Sequence, residues 1–171
     1  AEMGLPPQIV IILAIVIALL VALACGALNG LLIAIANVPA IIATLGTNGL
    51  FMGIAIVITK GHGIRGFPMA FIMLGHGMTL GIPNAFPIFI GVALLIGLLL
   101  SRSRLGFQMR VLGASPEASQ YSGINNSAVL VKTHMLTALL AGIAAIIIIS
   151  RVNSIRPGYG ANYLLLSVLI A

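Results

Sequence analysis

From Met3 to Thr59 the chain carries no charged side chain. One helical crossing of a bilayer needs only about 20 apolar residues, so this stretch is far longer than a single crossing requires. The remainder has the same character. The 171 residues are 61% hydrophobic and 6% charged, against about 25% charged in a soluble domain. A polytopic helical membrane protein is the expectation. Its net charge of +6 comes from eight Lys/Arg against two carboxylates. These are scattered rather than run together, which bears on topology and argues against nucleic acid as a partner. The lone Cys25 cannot form an internal disulfide and leaves the redox compartment open.

In chain order, residues 9–36 form a first span of 28 residues entered through Pro6 and Pro7. As one helix it would reach about 42 Å, so it must tilt or project beyond the hydrocarbon core. Gly26 and Gly30 make a notch for close helix contact. Asn29, between them, needs a polar partner: it lines a path or makes a structural hydrogen bond to another helix. A second span, residues 41–59, holds Thr44, Gly46, Thr47, Asn48, Gly49 and Gly53. Such a density of small and polar residues suits close packing or a locally broken helix beside a cavity. Asn29, Thr44, Thr47 and Asn48 are therefore the candidate lining of a translocation path.

Residues 60–84 are rich in glycine and proline and form an extramembrane or re-entrant segment, with a short interfacial helix expected at 67–74. His62 and His76 sit in Gly-His-Gly triplets. No Cys, Asp or Glu accompanies them, and zinc needs three or four ligands, so no metal site is expected. A third span, 85–100, ends at Arg102, Arg104 and Arg110, which mark a cytoplasmic end by the positive-inside rule. A fourth span covers 129–150, with Lys132 in its first turn. Residues 151–162 follow as an outer loop, and 163–171 open a further apolar element. No cleavable signal peptide is expected at the start. The chain is expected to be the central portion of a longer protein.

The longest polar interruption is residues 101–127, and within it SPEASQYSG reads as a short self-contained helix. Ser115 is a good N-cap, Pro116 fits the first helical position, and Glu117 in the first turn is favoured by the helix dipole. Gly123 can take the left-handed conformation that ends the helix, with Ile124 folding back. Such a helix on the polar face is a docking knob or a plain connector.

Three runs in this segment carry a resemblance: Arg104-Leu-Gly-Phe, Leu112-Gly-Ala-Ser-Pro-Glu-Ala-Ser, and Tyr121-Ser-Gly-Ile-Asn. Gly26-Ala-Leu-Asn-Gly-Leu-Leu-Ile-Ala, Pro39-Ala-Ile-Ile-Ala-Thr-Leu-Gly-Thr, and the stretch from Arg151 through Tyr163-Leu-Leu extend it over nearly the whole chain. Together they resemble the permease subunits of monosaccharide-type (ribose-like) ABC importers, which have more distant branched-chain amino-acid relatives. The resemblance implies one all-α permease domain over 1–171 in the bacterial cytoplasmic membrane, with a cytoplasmic coupling segment at 101–127. Gly113, Ala114, Ser115, Pro116, Glu117, Ala118, Ser119, Ser122 and Gly123 would dock on an ABC ATPase subunit that carries the ATP and Mg. A periplasmic or extracellular binding protein would meet the outer loops, with Arg65, Arg151 and Arg156 as candidate contacts. A second permease subunit, identical or not, would complete the path among membrane lipids.

Absent motifs fit this expectation. No Gly-x-x-x-x-Gly-Lys-Ser/Thr loop is present to hold a nucleotide, so the chain is not its own ATPase. No carboxylate lies in any span, where proton-coupled carriers commonly place one, and an aspartyl protease is excluded because the chain has no Asp. The chain is expected to be a transport subunit and not an enzyme, and to need no cofactor of its own. A passive channel or facilitator for a small neutral solute would use the same spans but has no use for a docking knob. A membrane scaffold would need neither the polar second span nor the long outer loop. Ribose or another pentose, galactofuranose, autoinducer-2 and nucleosides all remain open as substrates.

Overall fold

The computed structural model describes residues 6–79 and 81–160. Four of its helices are long and apolar enough to cross a membrane: α1 (Pro7–Ala34), α2 (Ala40–Thr59), α4 (Ala85–Arg102) and α7 (Asn126–Val152). Between them lie α3 (Met69–His76), α5 (Arg104–Ala114) and α6 (Pro116–Tyr121). Two-residue strands form two small clasps. β1 (Ile64–Arg65) pairs antiparallel with β4 (Ser154–Ile155), and β2 (Met78–Thr79) pairs with β3 (Ile82–Pro83). The fold is all-α, with four spans among the described residues. The further apolar element at 163–171 lies outside them.

The main packing contact is α1 against α7, and glycine makes it possible. A Cβ on Gly26 would stand 2.6 Å from the Cβ of Ala138 and 2.7 Å from the carbonyl oxygen of His134. One on Gly30 would stand 2.7 Å from the Cα of Val131. Further along, Gly142 returns the fit, meeting Ala22 at 3.0 Å. Contacts that climb α7 as they descend α1 mean that the two helices run antiparallel. Lipid tails are as apolar as Leu, so helices associate in a bilayer through close backbone approach rather than a hydrophobic difference. The notch at Gly26 and Gly30 supplies that approach.

Helix α2 is continuous across Gly46, Gly49 and Gly53, so the expected alternative of a broken helix is corrected. It meets α1 through Ala43 and Thr47, which are buried, while the three glycines face open space. Helix α4 buries none of its residues. Among the described residues the only buried apolar side chains are Ala43, Phe71 and Val129. Most of the apolar surface of the spans thus faces lipid or other protein.

The β1–β4 clasp joins the loop after α2 to the loop after α7, so both helices end on one side. On that side α3 lies across the end of α7. Ser150, fully buried, donates its hydroxyl to the carbonyl oxygen of Phe71 at 2.6 Å, and Gly75 packs on Ser150 and Arg151. Asn153, in a left-handed conformation, accepts from the backbone N–H of Phe67 at 3.1 Å. Helix α3 starts two residues later than expected. Pro68 holds the preceding Phe67 out of the helical region, so Met69 is the first residue free to turn. Helix α7 runs to Val152, so Arg151 belongs to its last turn and not to a loop. It also begins at Asn126 rather than 129, capped by the Asn125 side chain, which accepts from the N–H of Ala128.

Candidate functional site

The segment at 101–127 folds as two helices, not one. Ser103 ends α4 and caps α5, accepting from the N–H of Gly106 at 3.1 Å. Gly106 is buried and lies so close to the backbone of Leu100 that a Cβ there would collide with its carbonyl group. This contact lets the chain turn sharply at a single residue. Helix α5 was not read from the sequence. Its signal was present in Leu105, Met109 and Leu112 at helical spacing behind Ser103. It was masked by Arg104 at the first position and Gly106 in the first turn, both poor helix starters.

Helix α6 forms as its sequence dictates. Ser115 accepts from the N–H of Ala118 at 3.2 Å, Pro116 occupies the first turn, and Glu117 is the acidic first-turn residue. At the other end Gly123 has φ +74°, the N–H of Ile124 reaches the carbonyl of Ser119 at 3.1 Å, and that of Gly123 reaches Gln120 at 3.0 Å. These two bonds are the Schellman closure of a helix end. The Ser122 hydroxyl donates to Ala118 O at 2.8 Å. Pro116, Glu117, Ala118 and Gln120 are exposed, as are Gly113 and Ala114 at the end of α5, and Tyr121 is 93% exposed. Ser119 points the other way and is fully buried. Glu117 forms no ion pair with Arg102, Arg104 or Arg110.

One bond fixes this knob to a span. The side-chain amide of Asn126, the first residue of α7, donates to the carbonyl oxygen of Pro116 at 2.9 Å. The Asn125-Asn126 pair thus divides its labour, the first capping α7 and the second holding α6. Beside it the Ser119 hydroxyl and the Asn126 Oδ1 are buried without a hydrogen-bond partner. Ser127 adds a link to the first span, donating to Ala34 O at 3.3 Å.

The four path candidates separate. Thr47 donates to Asn29 Oδ1 at 2.6 Å, its oxygen also lying 3.0 Å from Ala43 O. That is the interhelical hydrogen bond, joining α1 to α2. Thr44 donates to Ala40 O within its own helix at 2.8 Å. Asn48 is exposed. On the opposite side, Arg65 and Arg156 line one cleft of 370 Å³ with Val152, Asn153, Ser154 and Tyr159. Arg151 does not join them and packs along Gly75 instead. Among the described residues no group of three or more His, Cys, Asp or Glu comes together.

Four spans, an antiparallel pair locked by glycine, and a capped knob tied to one of them define a polytopic helical membrane protein. The family model described as "Branched-chain amino acid transport system / permease component" matches residues 2–171, and the chain belongs to that permease family. Over 170 residues it is 34% identical to the autoinducer 2 import system permease protein LsrD of Salmonella paratyphi B, covering 96% of this chain and 50% of the relative. Over 159 residues it is 34% identical to the protein of the same name in Escherichia coli O9:H4, covering 90% and 48%. The chain spans about half the length of the curated relatives it matches. No solved structure matches it.

Proposed function

We propose that the chain is the membrane-spanning part of a binding-protein-dependent ABC importer, with α6 and the end of α5 at Gly113 and Ala114 as the face that receives an ATPase subunit. The observation that carries this reading is the Asn126–Pro116 bond. A push on the exposed face of α6 is delivered to the first residue of α7. Helix α7 in turn is locked to α1 through Gly26 and Gly30. ATP and Mg act on the partner chain, and this chain converts the movement of that partner into movement of the α1–α7 pair. No covalent step occurs on it.

The knob is assigned to the cytoplasmic side because Arg102, Arg104 and Arg110 directly abut a span. The cleft with Arg65 and Arg156 then faces outward, where those residues are suited to acidic groups on a substrate-binding protein. The solute is small and polar, in keeping with relatives named for autoinducer 2 import. A second permease subunit would cover the open faces of α2 and α4.

The test is Glu117→Ala, and separately Gly123→Val, in the intact transporter. ATPase retention on affinity purification and ATP-dependent uptake are both measured. Gly123→Val is the harsher change, because the left-handed conformation costs a side-chain-bearing residue about 1–2 kcal/mol. Full ATPase retention and normal uptake in both variants would reduce α6 to a connector.

A further inference from the structure

The end of α4, helix α5 and the loop after α6 enclose a second cleft of 580 Å³. Its lining includes Arg102, Arg104 and Arg110, the hydroxyls of Ser101, Ser103 and Ser122, and Gln108, with apolar walls from Phe107, Val111 and Ile124. Among the described residues no carboxylate lines it, and Glu117 on the neighbouring α6 is not one of its residues. All three arginines are exposed. Arg102 is in the last turn of a membrane-spanning helix, so the cleft sits where a span meets the membrane surface.

We propose that this cleft is a binding site for the phosphodiester headgroup of an anionic phospholipid. Three positive charges line it with no carboxylate beside them among the described residues. The field is further unbalanced because Arg104 stands at the first position of α5, where the helix dipole is already positive and the first turn has no acidic residue. Guanidinium forks match phosphate oxygens in pairs, and the serine hydroxyls and Gln108 can donate to those that remain. The apolar walls suit the glycerol and upper acyl region of a lipid. Phe107, 59% exposed, adds a large apolar side chain of the kind that lies at the headgroup boundary. A zwitterionic headgroup brings its own cation and gains less from three unpaired arginines.

The experiment places the intact transporter in nanodiscs of phosphatidylcholine alone, or of phosphatidylcholine with one fifth phosphatidylglycerol. Lipid retained after delipidating washes is then measured by native mass spectrometry. Wild type is expected to retain phosphatidylglycerol selectively. Neutralising one arginine should weaken retention by roughly fivefold, and the triple Arg102→Gln, Arg104→Gln, Arg110→Gln variant by roughly a hundredfold. The triple Lys variant, which keeps the charge but loses the paired guanidinium geometry, should retain an amount between wild type and the triple Gln variant. If the triple Gln variant fails to fold, Arg110→Gln alone and the triple Lys variant carry the comparison. Arg65→Gln with Arg156→Gln, in the other cleft, should leave retention unchanged. Soluble glycerophosphate at millimolar concentration should not displace the lipid, and displacement would identify a free-phosphate site instead. Unchanged lipid retention in the triple Gln variant would overturn the proposal, and with loss of the ATPase it would assign the cleft to a protein partner. Because lipid retention is read without nucleotide or transport, the proposal can fail while the importer assignment stands, and the reverse.

Discussion

Asn126 and Pro116, ten residues apart, are joined by a side-chain to backbone hydrogen bond of 2.9 Å that makes the start of a membrane span and the start of a surface helix one mechanical unit. The rest of α6 is closed on itself by its Ser115 cap and its Gly123 closure. Force applied to its exposed face therefore has a defined exit, at the first residue of α7.

Asn126→Ala removes that exit while leaving the cap from Asn125 in place. One neutral hydrogen bond contributes about 0.5–1.5 kcal/mol, so the protein should still fold and still hold its ATPase. Uptake per ATP hydrolysed should fall severalfold. Loss of ATPase binding together with uptake would mean that the bond shapes the docking surface rather than transmitting movement from it.

The α1–α7 contact should be the least tolerant of added volume. Gly26→Ala puts a methyl 2.7 Å from a backbone oxygen that cannot step aside, and overpacking of this kind costs about 1–3 kcal/mol. A lower detergent melting temperature is expected, and Gly26→Leu should fail to accumulate. Ala138→Gly should recover only part of the loss in Gly26→Ala, since the His134 carbonyl remains. Full recovery would show that the side chain alone sets the spacing.

Thr47 and Asn48, neighbours in sequence, should part company in a mutational test. Thr47→Val deletes the hydroxyl that joins α2 to Asn29. Buried interhelical bonds average about 0.6 kcal/mol and reach about 1.7, so a modest loss of stability is expected, non-additive with Asn29→Leu. Asn48→Leu should leave stability unchanged, because its side chain is exposed. Reduced uptake in this variant, with the ATPase retained, would place Asn48 on the path. Normal uptake in Asn48→Leu would remove it.

The spans, the turns and the α6 helix were legible because each rests on local chemistry. Uncharged length, prolines before helix starts, and a Ser–Pro–Glu cap need no distant partner. The Gly26–Gly30 notch was legible too, although that α7 fills it was not, since the partner of a notch is a tertiary fact. Asn29 called for a polar partner, and that the partner is Thr47 is likewise a tertiary fact. Ser150 gave no signal. A serine near the end of an apolar helix is common, and only the return of α3, 79 residues away in sequence, makes it a buried anchor. Of the candidate contacts Arg65, Arg151 and Arg156, the first and last line one cleft. The two further residues of α7 put Arg151 in its last turn, where it packs on Gly75 and does not line the cleft.

Orientation is read with an impermeant thiol reagent on whole cells after Cys25 is replaced. A cysteine at exposed His62, beside the β1–β4 clasp, should label, and one at Tyr121 should label only after the membrane is permeabilised. Ser119 is unsuitable as a reporter because it is fully buried. Labelling at Tyr121 in intact cells would invert the arrangement.

The most direct test of the coupling assignment is a photocrosslinking residue in place of Tyr121, the outermost side chain of α6. In the intact transporter it should join this chain to the ATPase subunit, with a yield that changes between nucleotide-free and ATP-bound states. A crosslinker at Val57, exposed near the clasp end of α2, should not. Absence of any ATPase adduct at Tyr121, in a preparation that still transports, would contradict the account.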